Sequence, residues 1–65
     1  MSAPALFIVM LENSKSEQVP VRIFLTQAVL GGIVTNVYPD LAEIRTDSGK
    51  RCVFALDRIE AIETI

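Results

Sequence analysis

No set of residues in this sequence assembles a reaction centre. The chain has no histidine and one cysteine, so a thiolate would lack an imidazole base and a structural zinc ion would lack ligands. Cys52 alternates with Phe54 and Leu56, which reads as an inert thiol on a core-facing strand. The carboxylates Asp40, Glu43, Asp47 and Asp57 are scattered over turns and solvent faces, and none is paired for acid–base work. Neither a glycine-rich phosphate loop nor a metal-ligand cluster accompanies them. We therefore read a binding or assembly module rather than an enzyme, with no cofactor and no metal. The cations Arg22, Arg45, Lys50, Arg51 and Arg58 are what a fold could gather into a basic patch, although one by one they read as solvated faces and strand ends. Six Lys/Arg against eight Asp/Glu weigh against nonspecific binding to long nucleic acid, which needs several phosphates neutralised at once.

The elements that must position these residues belong to one small domain, 1–65. A chain of 65 residues buries only about 60% of the surface its unfolded form exposes, so domains of this size lean on disulfides, a metal or self-association. One cysteine excludes an internal disulfide. With 51% of the residues hydrophobic, self-association is the expected outlet for the surplus apolar surface.

Met1 to Pro4 reads as a frayed end. The run Ala5 to Leu11, ALFIVML, is too short to span a bilayer, which takes about 20 apolar residues in a helix. It lacks both a positive segment before it and a small-residue cleavage site after it. The expected compartment is cytoplasmic, with Cys52 reduced and no membrane partner. By periodicity this run fits a fully buried strand or a short helix equally well. Phe7, Ile8 and Val9 favour strand, while Ser2 followed by Pro4 could open a helix; strand is the reading taken. Glu12 to Gln18, ENSKSEQ, reads as a polar loop, so 1–18 is an apolar segment plus a loop and 19–65 is the core of the domain.

Val19 to Thr26 alternates with period two, turns at Gln27–Ala28, and returns as a long strand from Val29 to Tyr38 in which Gly31 and Gly32 mark a bend or a close backbone approach. Pro39–Asp40 breaks that run. Leu41 to Thr46 is a short strand with Ala42 and Ile44 on one face and Glu43 and Arg45 on the other. Asp47–Ser48–Gly49 is a hairpin signal in which Gly49 can take positive φ. Arg51 to Leu56 returns, Asp57–Arg58 is a polar break, and Ile59 to Ile65 closes the chain. Five short strands with tight turns indicate a small, strongly bent all-β barrel.

On Val19–Pro20–Val21, Ile23–Phe24–Leu25, Leu30, Gly32, Ile33, Asp40, Val53–Phe54 and Leu56 through Ile62, the chain resembles the Sm-like proteins, the superfamily of Lsm proteins and the bacterial Hfq branch. The likeness covers Val19 to Ile65. It implies an SH3-like five-stranded barrel, subunits joined edge to edge in a homo-oligomeric ring, and single-stranded RNA as a ligand. The compactness and the ENSKSEQ connection resemble divergent phage-derived members. The departures fall on the RNA pocket. Where Hfq-like proteins carry a Lys–His pair ahead of the last strand, this chain has Leu56 and Asp57. Where Lsm proteins carry Arg–Gly, Arg58 is followed by Ile59. The Met–Asn pair of eukaryotic-type members falls at Glu43–Ile44, which cannot bond a uracil edge in the same way.

What the resemblance implies for RNA then rests on Tyr38, Asn36, Lys50 and Arg58 as stacking, edge-reading and phosphate-binding groups. Tyr38 reads equally as an ordinary rim aromatic, and Arg58 as the partner of a carboxylate across a subunit contact. The implied interface pairs the strand Arg51 to Leu56 of one copy with Ile59 to Ile65 of the next and takes in Val53, Phe54, Leu56, Ile59 and Ile62. A pentamer is favoured over a hexamer or heptamer. The other functional reading is a structural module whose oligomeric surface docks a protein and never meets RNA.

Overall fold

In a computed structural model, which describes residues 4–65, an N-terminal helix α1 (Ala5–Glu17) precedes five strands, β1 (Val21–Leu25), β2 (Val29–Val37), β3 (Leu41–Thr46), β4 (Arg51–Ala55) and β5 (Ile59–Thr64), with a 3₁₀ turn at Leu56–Arg58. Of the expected frayed end, Met1 to Ala3 lie outside the described residues.

The helix corrects the reading of the first 18 residues. Neither the buried strand Ala5–Leu11 nor the polar loop Glu12–Gln18 forms; one helix runs through both. Phe7, Leu11 and Ser14, spaced four and three apart, fall on one side of it. Leu11 and Ser14 are buried, and Phe7 and Ile8 pack against the core. A strand there would have needed cover on both faces, whereas the helix needs it on one, and Glu12, Lys15 and Glu17 suit its exposed side. The polar connection on which the likeness to phage-derived members leaned is therefore helical. Gln18 ends the helix in the left-handed region (φ 57°), its side chain bonding the Lys15 carbonyl at 2.8 Å, and Pro20 prevents continuation.

The strands form one antiparallel sheet in the order β4-β3-β2-β1-β5. The expected barrel does not close, because β4 and β5 are the two edges and do not pair. They are nevertheless brought near each other by their connection. In a flat sheet the outer strands of five lie about 19 Å apart, but the four steps from Ala55 to Ile59 reach about 14 Å at most. The sheet must curl, and Gly32 is where β2 changes partners. Val21, the first residue of β1, and Thr46, the last of β3, both pair with it. A Cβ on Gly32 would run into the Arg45 carbonyl oxygen and lie 2.8 Å from the Thr46 Cα, so only glycine lets β3 approach this closely. Gly49 takes φ 84° in the β3–β4 turn, the positive value its sequence context called for.

Val21, Ile23, Val34, Ala42, Ile44, Phe54, Leu56 and Ile59 make the core with Leu11, and Cys52 packs half-buried against it. Three of the five residues expected at a subunit interface, Phe54, Leu56 and Ile59, thus fill the chain's own interior. Ile62 is half-buried opposite Ile23, and Val53 is 58% exposed.

Candidate nucleic-acid interface

The outer face of β2, β3 and β4 gathers polar and cationic chemistry in successive rows, because residues opposite one another in an antiparallel pair share a face. Arg45 stands directly opposite Arg51, and both are exposed. Like charges in this relation destabilise a sheet, and neither guanidinium is in an ion pair: among the described residues the salt bridge is Arg22–Glu63 at 2.8 Å, between exposed side chains. A cationic pair without an ion-pair partner, offset only by the Glu43 charge that reaches Arg51 from the next row, is an arrangement that a bound anion would relieve.

One row along, Glu43 faces Asn36 on β2 and Val53 on β4. The register slips between Val34 and Asn36, leaving Thr35 as a bulge that turns its hydroxyl to the same carboxylate as Asn36. Thr35 Oγ1 donates to Glu43 Oε1 at 2.7 Å, and Asn36 Nδ2 donates to the same oxygen at 3.0 Å. These two bonds, Thr35 first, hold the Glu43 carboxyl below its ordinary pKa, with a smaller contribution from the Arg51 charge and a partial offset from desolvation. Glu43 is a fixed anion with a fixed orientation.

The next row holds Tyr38 and Leu41, joined by the bond from the Tyr38 N–H to the Leu41 carbonyl at 2.8 Å, and then Ala55 opposite Leu41. Tyr38 is 49% exposed, so its ring is open to stacking. The structure thus brings together Tyr38 and Asn36 of the four sequence-selected residues. Lys50 lies exposed in the hairpin that carries the arginine pair. Arg58 lines a separate cleft of ≈ 200 Å³ with Leu25, Gln27, Ala28, Phe54 and Ala55 and is not part of the same face.

Arg45 and Arg51 are two of the five cations that the sequence offered for a basic patch, and Glu43 stands where the resemblance places a base-reading pair; Thr35 is the residue the sequence placed in no site. The arginine pair had a signal: a hairpin centred on Asp47–Gly49 puts Arg45 across from Arg51 by counting outward. The Thr35 bulge had none. A third feature is a groove of ≈ 160 Å³ beside α1, walled by Val9, Met10, Val19 and Val21. Among the described residues no group of His, Cys, Asp and Glu could hold a metal ion, and no helix is long and apolar enough to cross a membrane.

No family model matches the sequence, and no curated protein does. Among solved structures the chain is similar to the crystal structure of the pleiotropic translational regulator Hfq, with a TM-score of 0.77 and 19% identity over 89% of this chain and 97% of that chain. The fold is accordingly of the Sm-like, Hfq type: an N-terminal helix on a bent five-stranded antiparallel sheet.

Proposed function

We propose that this chain is a single-stranded RNA-binding module that works as a ring of self-associated copies, a binder and not a catalyst. The observation that carries the reading is the opposed Arg45–Arg51 pair on the same face as the exposed Tyr38 ring, two rows along, on a fold shared with a translational regulator. Guanidinium groups for phosphate and an open aromatic for a base are the two things a single strand needs. Leu56 and Asp57, in the place of cationic readers, keep the affinity modest, since a carboxylate near phosphate is repulsive. Filter binding of the purified protein to oligo-U and oligo-A at two salt concentrations tests the reading. Binding that weakens as salt rises is expected, and absence of binding at the lower salt overturns it.

The second reading, an assembly module that docks a protein without RNA, draws on α1. Val9, which lines the apolar groove, is 61% exposed, and Leu6 three residues earlier on the helix is 66% exposed, a surface suited to a protein neighbour. A failed RNA titration returns the molecule to this class.

A further inference from the structure

The Glu43 carboxylate is oriented more strictly than a surface carboxylate needs to be. A carboxylate accepts through two oxygens with about four lone-pair sites. Both bonds from Thr35 and Asn36 go to Oε1, while Oε2 takes part in none of the hydrogen bonds or ion pairs among the described residues. The outer face therefore presents one free acceptor at a fixed place. It sits a row away from two guanidinium groups on one side and from Tyr38 on the other. Same-face rows are about 7 Å apart along a strand, a spacing that lets one nucleotide lay its phosphate on the arginines while its base reaches Glu43.

An acceptor set beside a phosphate clamp discriminates among bases. Cytosine and adenine offer an exocyclic amino group, the donor that a Glu side chain accepts from in base recognition. Uracil offers a carbonyl at the corresponding edge, and two acceptors facing each other repel. Guanine would need both carboxylate oxygens for its adjacent N–H donors, and Oε1 is already taken. Building on the RNA reading above, we propose that Glu43 Oε2 accepts the amino group of cytosine or adenine in single-stranded RNA, so that this face selects amino-bearing bases over uracil.

The arrangement supplies its own test, because Thr35 and Asn36 also dictate how a glutamine would sit. In Glu43→Gln the amide oxygen meets the Asn36 and Thr35 donors, which turns the amide NH₂ outward and replaces an acceptor by a donor at the reading position. Filter binding of oligo-C, oligo-A and oligo-U of equal length is measured for the wild type, Glu43→Gln and Glu43→Ala. The wild type is expected to prefer oligo-C and oligo-A over oligo-U by roughly tenfold. Glu43→Gln inverts the ratio of oligo-C to oligo-U, and Glu43→Ala levels it. Equal binding of oligo-U and oligo-C by the wild type, or a ratio untouched by Glu43→Gln, overturns the base assignment and leaves RNA binding standing. Binding to none of the three overturns the RNA reading itself, and this inference with it.

Discussion

Ser14 on the helix accepts a hydrogen bond from the backbone N–H of Val34 on β2 at 3.1 Å, while its own hydroxyl donates to the Val19 carbonyl at 2.7 Å. The pairing explains why a serine occupies a site that is 1% exposed. Strand β1 covers the edge of β2 only from Val29 to Gly32, so beyond Gly32 that edge has lost its strand partner. Helix α1 takes over, and Ser14 supplies the acceptor that the missing strand would have given.

Ser14→Ala leaves a buried donor, the Val34 N–H, and a partly buried acceptor, the Val19 carbonyl, without this partner. A loss of about 1–3 kcal/mol follows, read as a lower denaturation midpoint with an unchanged slope in urea. A midpoint equal to the wild type would show that water replaces the hydroxyl at no cost.

Gly32→Ala and Gly31→Ala separate two neighbouring glycines. At Gly32 the new methyl meets the β3 backbone, which cannot swing aside, and a loss on the order of 3 kcal/mol is expected. At Gly31 it lies 3.3 Å from the Asp47 carboxylate oxygen, the end of a movable side chain, so the change is expected to be small. Thermal melts of the two variants decide it; equal losses would mean that β2 does not pivot at Gly32.

These cases show what the sequence made legible. Strands β1 to β5, the Asp47–Gly49 hairpin and the special role of the glycine pair follow from alternation and turn chemistry, which are local. The helix did not, because Ala5–Leu11 is apolar on every side and only the vacated edge of β2 decides which side is covered. The open sheet escaped for a related reason: strand patterns give faces, and closure depends on whether β4 and β5 meet. In the site, Tyr38 and Asn36 were visible as residue types. Their meeting with Glu43 depends on a bulge at Thr35, an ordinary residue in strand context.

Acid titration reports on that bulge. Because Thr35 and Asn36 hold the Glu43 carboxyl below its ordinary 4.5, the group's contribution to stability is fully present above that value and is lost as pH falls through the lower folded one. Wild-type stability is therefore expected to drop more steeply below about pH 4.5 than that of Glu43→Gln. In Thr35→Val the carboxyl, followed by NMR, should titrate closer to its ordinary value. An unmoved titration would remove Thr35 from the account.

Asp57 is exposed in the 3₁₀ turn beside Arg58. Asp57→Lys exchanges a repulsive charge for an attractive one without touching the core, so RNA binding should tighten and its salt dependence steepen by about 0.7 for one added phosphate contact on a single strand. A parallel salt plot would place the strand away from this turn.

The proposed ring draws on the two free edges. β4 and β5 each have one side unpaired, and an exposed strand edge is a ready template for pairing with another chain. Pairing β4 of one copy with β5 of the next is head-to-tail, and such contacts either close or run on as fibres. Val53 probes the contact without opening the core, since its side chain is 58% exposed, although Val53→Asp sets a second carboxylate opposite Glu43, so the fold of the variant is checked alongside; Ile62 serves less well, because it packs against its own core. Val53→Asp would bury an unpaired charge in the assembled contact. Size exclusion with light scattering is expected to give a pentamer for the wild type and smaller species for Val53→Asp, with matching circular dichroism. A wild-type monomer refutes the ring, a hexamer or heptamer corrects its size, and an unchanged oligomer for Val53→Asp moves the contact away from β4.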